Sequence, residues 1–221
     1  MPDWRPTGLT GAAARRKDIV DRLAALIVLA VLSPMLAATA LAILADSPGP
    51  VFYRETRVGR DGRRFRIFKF RTMVDGAEFI GLKRAVSRDD DRITRVGKWL
   101  RLTSADEIPQ LLNVVRGEMS IVGPRPGVPH QAERYTPRQR RRLEAKPGLT
   151  GWAQVNGRNS LTWEERIELD IWYIDHWTPW LEARILLRTP LALADKEGIY
   201  GATGVTTDLG ETDDLAGAPP D

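Results

Sequence analysis

The sequence predicts an α+β, helix-rich fold in which one soluble domain is carried on an N-terminal apolar helix that meets a membrane. Three observations lead there: an uncharged run from Leu23 to Ala45, a hairpin pattern soon after it, and apolar residues at helical spacing farther along the chain. The 221 residues suffice for one domain with a real core plus an accessory segment. A hydrophobic fraction of 43% excludes a wholly disordered chain. There is no Cys, which removes disulfides, thiol nucleophiles, thiolate zinc sites and iron–sulfur clusters. With only His130 and His176 available, acid–base or nucleophilic chemistry falls to carboxylates. The net charge of +4 and pI near 9.6 favour anionic partners: phosphates, nucleic acid or an acidic membrane face.

Residues 1–17 are polar, end in Arg15-Arg16-Lys17 and read as a flexible leader. Residues 18–46 read as the membrane segment. Its run LAALIVLAVLSPMLAATALAILA is about 34 Å long as a straight helix, just enough to span a bilayer. A signal peptide is a poorer reading, because the apolar region is too long and has Pro34 in its middle. Ser33-Pro34 divides the run into halves of roughly 15–20 Å, each too short to cross a core of about 30 Å. Basic residues flank both sides, from Arg15, Arg16, Lys17 and Arg22 before it to Arg54 and Arg57 after it, and such flanks mark the cytoplasmic side. A re-entrant helix broken at Ser33 and Pro34 satisfies both facts. A kinked spanning helix fits the same residues, since kinks of this kind are tolerated in membranes.

Residues 47–203 read as the soluble domain. DSPGPVFY (46–53) is a Pro/Gly boundary. TRVGRDGRRFRIFKFRTM then predicts a strand near 51–58, a turn at Gly59–Gly62 and a strand near Phe65–Phe70 with period-2 alternation. Residues 75–91 are charged and predict a surface helix and loop. Ile93, Val96, Trp99 and Leu100, with Arg92, Arg95, Lys98 and Arg101 between them, predict a short basic amphipathic helix, either core-facing or lying on anionic headgroups.

In LTSADEIPQLLNVVRGEMSIVGPRP a helix is expected to start near Ser104 and to stop at Gly117, with Ile108, Leu111, Leu112 and Val115 at helical spacing. Ser104 and Glu107 stand at capping-box spacing, so Asp106 and Glu107 can be ordinary N-terminal acids that match the helix dipole. They can equally divide chemical labour, one attacking and one holding a cation, with phosphate oxygens received at the helix N-terminus. Composition does not decide between these readings. KPGLTGWAQVNGR is glycine-punctuated, with turns at Pro147-Gly148 and Asn156-Gly157. Trp163, Trp172, Trp177 and Trp180 cluster as residues at a headgroup level do, or as a tryptophan-rich core face does. Leu181–Ala194 predicts a partly apolar helix that Pro190 bends or ends, and residues 204–221 an acidic, disordered tail.

These stretches carry a resemblance. SPGPVFYRETRVGRDGRRFRIFKFRTM, LTSADEIPQLLNVVRGEMSIVGPRP, KPGLTGWAQVNGRNSLTWEERIELDIWY and the late GVTTD follow the order found in bacterial sugar transferases, from about Asp18 to Asp208. The chain resembles the small monotopic phosphoglycosyl transferases of that family, which load a sugar phosphate from a UDP-sugar onto a polyprenyl phosphate such as undecaprenyl phosphate. Larger members carry spanning helices and another domain ahead of this core. The resemblance implies that Asp106 is the nucleophile, attacking the β-phosphorus and releasing UMP by way of a sugar-phosphoryl aspartate. It implies that Glu107 helps to bind Mg²⁺, with acid–base work as a weaker assignment. Arg125 of the PRP motif, Lys69 and Arg71 of KFRTM, and Arg158 of NGRN would contact the anionic substrate, and Asp170 lies in a further matching block with a less defined role. GVTTD leans toward N-acetylated amino sugars. The implied place is the cytoplasmic face of the bacterial inner membrane, with the lipid bilayer as partner and no nucleic acid.

The physical chemistry is compatible. Displacement at phosphorus asks a protein for positioning and charge neutralisation, which arginines and a divalent ion provide. Carboxylate nucleophiles need neither His nor Cys. Pro124 and Pro126 restrict the backbone around Arg125. The rivals are a glycosyltransferase that attacks the anomeric carbon and releases UDP, a non-catalytic membrane scaffold, and a membrane-tethered nucleic-acid binder, whose reading motifs the sequence lacks.

Overall fold

The computed structural model of the chain describes residues 11–77, 90–157 and 160–194, together with the backbone of 86–87 and 205–206. Its first element is a 36-residue helix, α1 (Gly11–Asp46). It starts within the stretch expected to be a leader and continues on both sides of Pro34 as one helical element, so no non-helical segment separates the two halves expected at Ser33-Pro34. Pro34 has no N–H to give to the carbonyl four residues back, that of Ala30. The Ser33 hydroxyl donates to that carbonyl instead, at 2.8 Å, so the gap in the ladder is closed.

One stripe of α1 packs on the domain along its whole length. Ala25 and Leu29 join Phe65, Leu111, Val114 and Met119. Leu36, Ala40 and Ile43 join Phe70 and Leu100. The opposite stripe, with Leu23, Ile27, Val31 and Leu41, is exposed, and only 6% of the most apolar 18-residue window is buried. The helix is long and apolar enough to cross a membrane.

The predicted hairpin forms in two short ladders. β1 (Phe52–Tyr53) and β2 (Thr56–Val58) lead to a 3-10 turn at Arg60–Gly62, where Asp61 and Gly62 have φ of 58° and 75°. β3 (Arg64–Arg66) returns against β2, and β4 (Lys69–Phe70) against β1, both antiparallel. Between the ladders the amide of Phe68 donates to the side chain of Asn113 at 3.0 Å, which replaces a strand partner. β5 (Val86–Ser87) follows; the rest of the expected 75–91 surface helix lies mostly outside the described residues.

α2 (Arg95–Thr103) is capped by Thr94, whose hydroxyl accepts from Gly97 N, and by the Asp46 carboxylate, which accepts from Val96 N at 2.8 Å. Gly97 lies flat against the Thr72 carbonyl, where any Cβ would collide. Trp99 projects into the surroundings at 73% exposure, while Leu100 is buried. A 3-10 turn (Ala105–Gln110) then leads into α3 (Leu111–Val115), which Gly117 ends with φ of 77°.

β6 (Ser120–Val122), α4 (Pro129–Glu133) and a 3-10 segment at Gln139–Glu144 come next. β7 (Gly148–Thr150) pairs parallel to β6. α5 (Trp152–Val155), α6 (Trp163–Asp175) and α7 (Pro179–Ala194) complete the body. Thr162 and Glu165 form a reciprocal capping box at the start of α6. Val122, Tyr173, Ile174, Leu181 and Ile185 make a core where β6, α6 and α7 meet. α7 passes through Pro190 to Ala194 and leaves Trp180, Leu187 and Leu191 exposed. Trp172, read as possible core, is on the surface side, stacked against Trp152 and His176. β8 (Val205–Thr206) pairs antiparallel with β5, so the start of the tail expected to be disordered is tied back to the body by a two-residue ladder. The remainder of that tail lies outside the described residues.

A buried polar network fastens α1 at its beginning. Lys17 bonds Asp21 at 2.9 Å and Glu182 of α7 at 2.6 Å, and Asp21 accepts from the Ser120 hydroxyl of β6. Glu182 also accepts from Tyr173 and Trp177. Three polar side chains removed from water are tolerated because each has several partners.

Candidate active site

Three segments converge on one cluster: Lys69 from β4, Asp106 and Glu107 from the 3-10 turn, and Arg125 from the loop after β6. The turn owes its shape to Ser104, which is left-handed (φ 55°) and closes α2 rather than opening the next helix. Its hydroxyl makes no cap bond to the turn, so the capping box read from Ser104 and Glu107 does not form. Glu107 is thereby free to face cations instead.

Lys69 Nζ lies 2.8 Å from Asp106 Oδ2 and 3.4 Å from Glu107 Oε1. Arg125 completes the cluster from the other side, with Nη2 3.0 Å from Glu107 Oε1 and Nη1 3.5 Å from Oε2. Asp106 is only 3% exposed, whereas the Arg125 side chain is 57% exposed, so the cluster opens to solvent at its arginine. Burial pushes the Glu107 carboxyl up, but Arg125 and Lys69 outweigh it and hold the group far below the usual carboxylate range. Burial likewise works against the Lys69 ammonium, and Asp106 and Glu107 overcome it and raise its pKa. Glu107 and Lys69 are therefore both charged at neutral pH.

The loop that presents Arg125 is tied down residue by residue. The Pro124 carbonyl accepts from Gly148 N at 2.8 Å, that of Arg125 from Arg142 at 3.0 Å, that of Pro126 from Arg57 at 3.4 Å, and that of Gly127 from Val58 N at 2.9 Å. Gly123 is needed because a Cβ there would meet the Lys146 carbonyl across the β6–β7 pair.

The other expected site residues fall elsewhere. Arg71 is buried and donates to the carbonyls of Ser47 and Pro48, where it pins the end of α1. Asp170, 2% exposed, pairs with Arg142 at 2.6 Å and reaches the Arg125 loop only through it. Its carboxyl is raised to about 6 by burial, against the pull of Arg142 and Arg166. Arg158 lies outside the described residues. Sequence reasoning missed Arg142, because Arg140-Arg141-Arg142 reads as a solvated charge run and nothing local marks its third member as buried.

The cluster can hold a divalent cation in one way. Among the described residues no group of three or more His, Asp or Glu gathers for a metal. Two carboxylate oxygens do lie within reach of one ammonium nitrogen, and magnesium is commonly held by one or two carboxylates with phosphates and water completing its shell. The donor set therefore fits magnesium brought in with a phosphate substrate.

A carboxylate pair held by a lysine and an exposed arginine thus lies in a domain that packs on a helix long and apolar enough to cross a membrane. Residues 12–196 match the family described as Bacterial sugar transferase, and the chain belongs to that family. It is 41% identical over 192 residues to the uncharacterized sugar transferase EpsL of Bacillus subtilis, covering 87% of this chain and 94% of that protein. It is 43% identical over 196 residues to the UDP-glucose:undecaprenyl-phosphate glucose-1-phosphate transferase of Caulobacter vibrioides, covering 84% of this chain and 72% of the relative. The protein of the same description in Escherichia coli is 41% identical over 193 residues, 83% of this chain and 41% of its own length. The chain is accordingly a transferase, and the Caulobacter and Escherichia relatives are described as transferring glucose-1-phosphate to undecaprenyl phosphate.

Proposed function

We propose that this enzyme transfers a sugar-1-phosphate from a UDP-sugar to undecaprenyl phosphate and releases UMP. The observation that carries the reading is one ammonium, Lys69 Nζ, within 3.4 Å of both adjacent carboxylates, with Arg125 gripping the outer one. An Asp106 oxygen attacks the β-phosphorus of the donor. The bond from that phosphorus to the bridging oxygen breaks, and its electron pair leaves with UMP. A phosphate oxygen of the polyprenyl carrier then attacks the same phosphorus and breaks the bond to Asp106, which restores the carboxylate and gives polyprenyl diphosphate sugar. Lys69 orients Asp106, and Arg125 turns from Glu107 toward the phosphoryl oxygens, where preorganised cations act on developing charge. Magnesium, held by Glu107 with the substrate phosphates, would neutralise charge on the diphosphate. Names of relatives put glucose and galactose at the head of the donor panel, beside the N-acetylated amino sugars.

The same reading places α1 as a re-entrant helix, with the domain on the cytoplasmic face. A straight helix of 36 residues would be about 54 Å long. Yet Lys17 and Asp21 near one end and Asp46 at the other all bond to one domain, and the apolar stripe between them packs on it as well. That supports both ends lying on one side of the bilayer.

The test is nucleotide release from a panel of UDP-sugars with Mg²⁺ and undecaprenyl phosphate, for wild type and Asp106→Asn. UMP from wild type and none from the variant is expected. UDP would move the reaction to the sugar carbon, and UMP at an undiminished rate from the variant would remove Asp106 from the chemistry.

A further inference from the structure

Arg142 takes no part in the reaction described above, yet its guanidinium is buried at 7% exposure and both terminal nitrogens are engaged. Nη2 donates to Asp170 Oδ2 at 2.6 Å and to the main-chain carbonyl of Arg125 at 3.0 Å. Nη1 donates to the Tyr135 hydroxyl at 2.9 Å. That hydroxyl in turn abuts Gly127, where an added Cβ would lie 2.7 Å from it. One side chain thus touches the PRP loop at Arg125 directly and at Gly127 through Tyr135.

We propose that Arg142, anchored by Asp170, is a positioning residue that sets the direction in which Arg125 meets Glu107 and the substrate phosphate. The proposal rests on the reading of the site given above. Pro126 already confines Arg125 to an extended backbone. What remains free is the tilt of the peptide plane between residues 125 and 126, and Arg142 holds the oxygen of that plane. Arg142 is also the only one of the loop's four carbonyl donors that bonds residue 125 itself. Asp170 supplies the counter-charge without which a guanidinium at this depth would be strongly disfavoured. The raised carboxyl of Asp170 agrees with how little water reaches the pair.

Arg142→Lys separates positioning from mere filling. It keeps a cation for Asp170 but offers one nitrogen where the fork offers two, so Arg125 O, Asp170 and Tyr135 cannot all be served in the same geometry. In wild-type and variant enzyme assayed with Mg²⁺, UDP-sugar and undecaprenyl phosphate, kcat for UMP release is expected to fall about 10- to 100-fold. The KM for undecaprenyl phosphate should stay near wild type, the thermal midpoint should fall by only the few degrees that one orphaned buried acceptor costs, and amide exchange in the 123–128 segment should quicken. If Arg142→Lys does not fold, the pair Arg142→Met with Asp170→Asn removes both charges together and should show the same loss. Added to Arg125→Ala, either change should cost no more than about twofold further, because both act through one residue. An unchanged kcat, full additivity with Arg125→Ala, or unchanged exchange at 123–128 would each overturn the proposal. Wild type that releases no UMP would instead sink the reading of the reaction, and exchange at 123–128 would still decide the positioning claim.

Discussion

Arg125→Ala separates stability from chemistry more sharply than any other change in the cluster. The arginine meets Glu107 at 3.0 and 3.5 Å, but its side chain is 57% exposed, so water and salt screen the pair. A pair of this kind stabilises a fold by about 0.2–1 kcal/mol. In a chain of this size that amounts to a fall of about 2–4 °C in the thermal midpoint at most. Glu107 also keeps Lys69 at 3.4 Å, so no buried charge is orphaned. The expected loss in rate is far larger: a positioned donor to charge developing in a transition state contributes about 2.7–4 kcal/mol, or 10²–10³ in kcat. The pH response has a definite sign. Glu107 is depressed in the folded enzyme, so its stabilisation is present above the unfolded carboxyl value and is lost as pH falls through the folded one. Without Arg125 the folded value rises, and acid destabilisation begins at a higher pH. Thermal unfolding in detergent and UMP release on the same preparation check both halves. A midpoint drop beyond about 8 °C, or UMP release within about threefold of wild type, would refute the argument.

The remaining predictions follow from burial. Asp106→Asn abolishes UMP release while the protein stays folded, as laid out for the proposed reaction. Arg142→Lys lowers kcat and loosens the 123–128 segment with a drop of only a few degrees in the thermal midpoint, as argued for the positioning role. Arg71→Ala leaves the carbonyls of Ser47 and Pro48 without their donor, at about 1–3 kcal/mol for each orphaned group; unfolding midpoints should fall while activity per folded molecule persists, and the reverse pattern would make Arg71 a substrate ligand. Asp170, raised to about 6 when folded against about 3.9 when unfolded, makes the folded state bind the extra proton, so its contribution to stability declines as pH rises from about 4 to 6. Replacing it together with its partner (Asp170→Asn with Arg142→Met) should flatten that slope in urea unfolding curves measured from about pH 3.5 to about pH 6.5.

Much of the fold was legible because its signals are local. The uncharged run of α1, the turn between β2 and β3, and the stop at Gly117 each depend on neighbours a few residues away. The departures have the same origin in reverse. Pro34 predicts a break by its own chemistry, but Ser33 supplies the missing hydrogen bond and the helix continues. Ser104 and Glu107 stand at capping distance, yet the left-handed backbone at Ser104 turns the pair to another use. Arg71 has the charge of a phosphate ligand and spends it on two carbonyls at the end of α1.

By itself the sequence determined the membrane-seeking helix and the element types around it, because composition and periodicity are properties of short stretches, while the carboxylate-and-arginine chemistry was implied by the family resemblance of longer motifs. Only the tertiary structure decided which charges work together. Lys69 reaches Glu107 across 38 residues and Arg125 reaches it across 18. The arginine that orients the loop comes from a charge run that looks solvated. A side chain's partner is set by where packing places the backbone that carries it, and no local pattern encodes that distance.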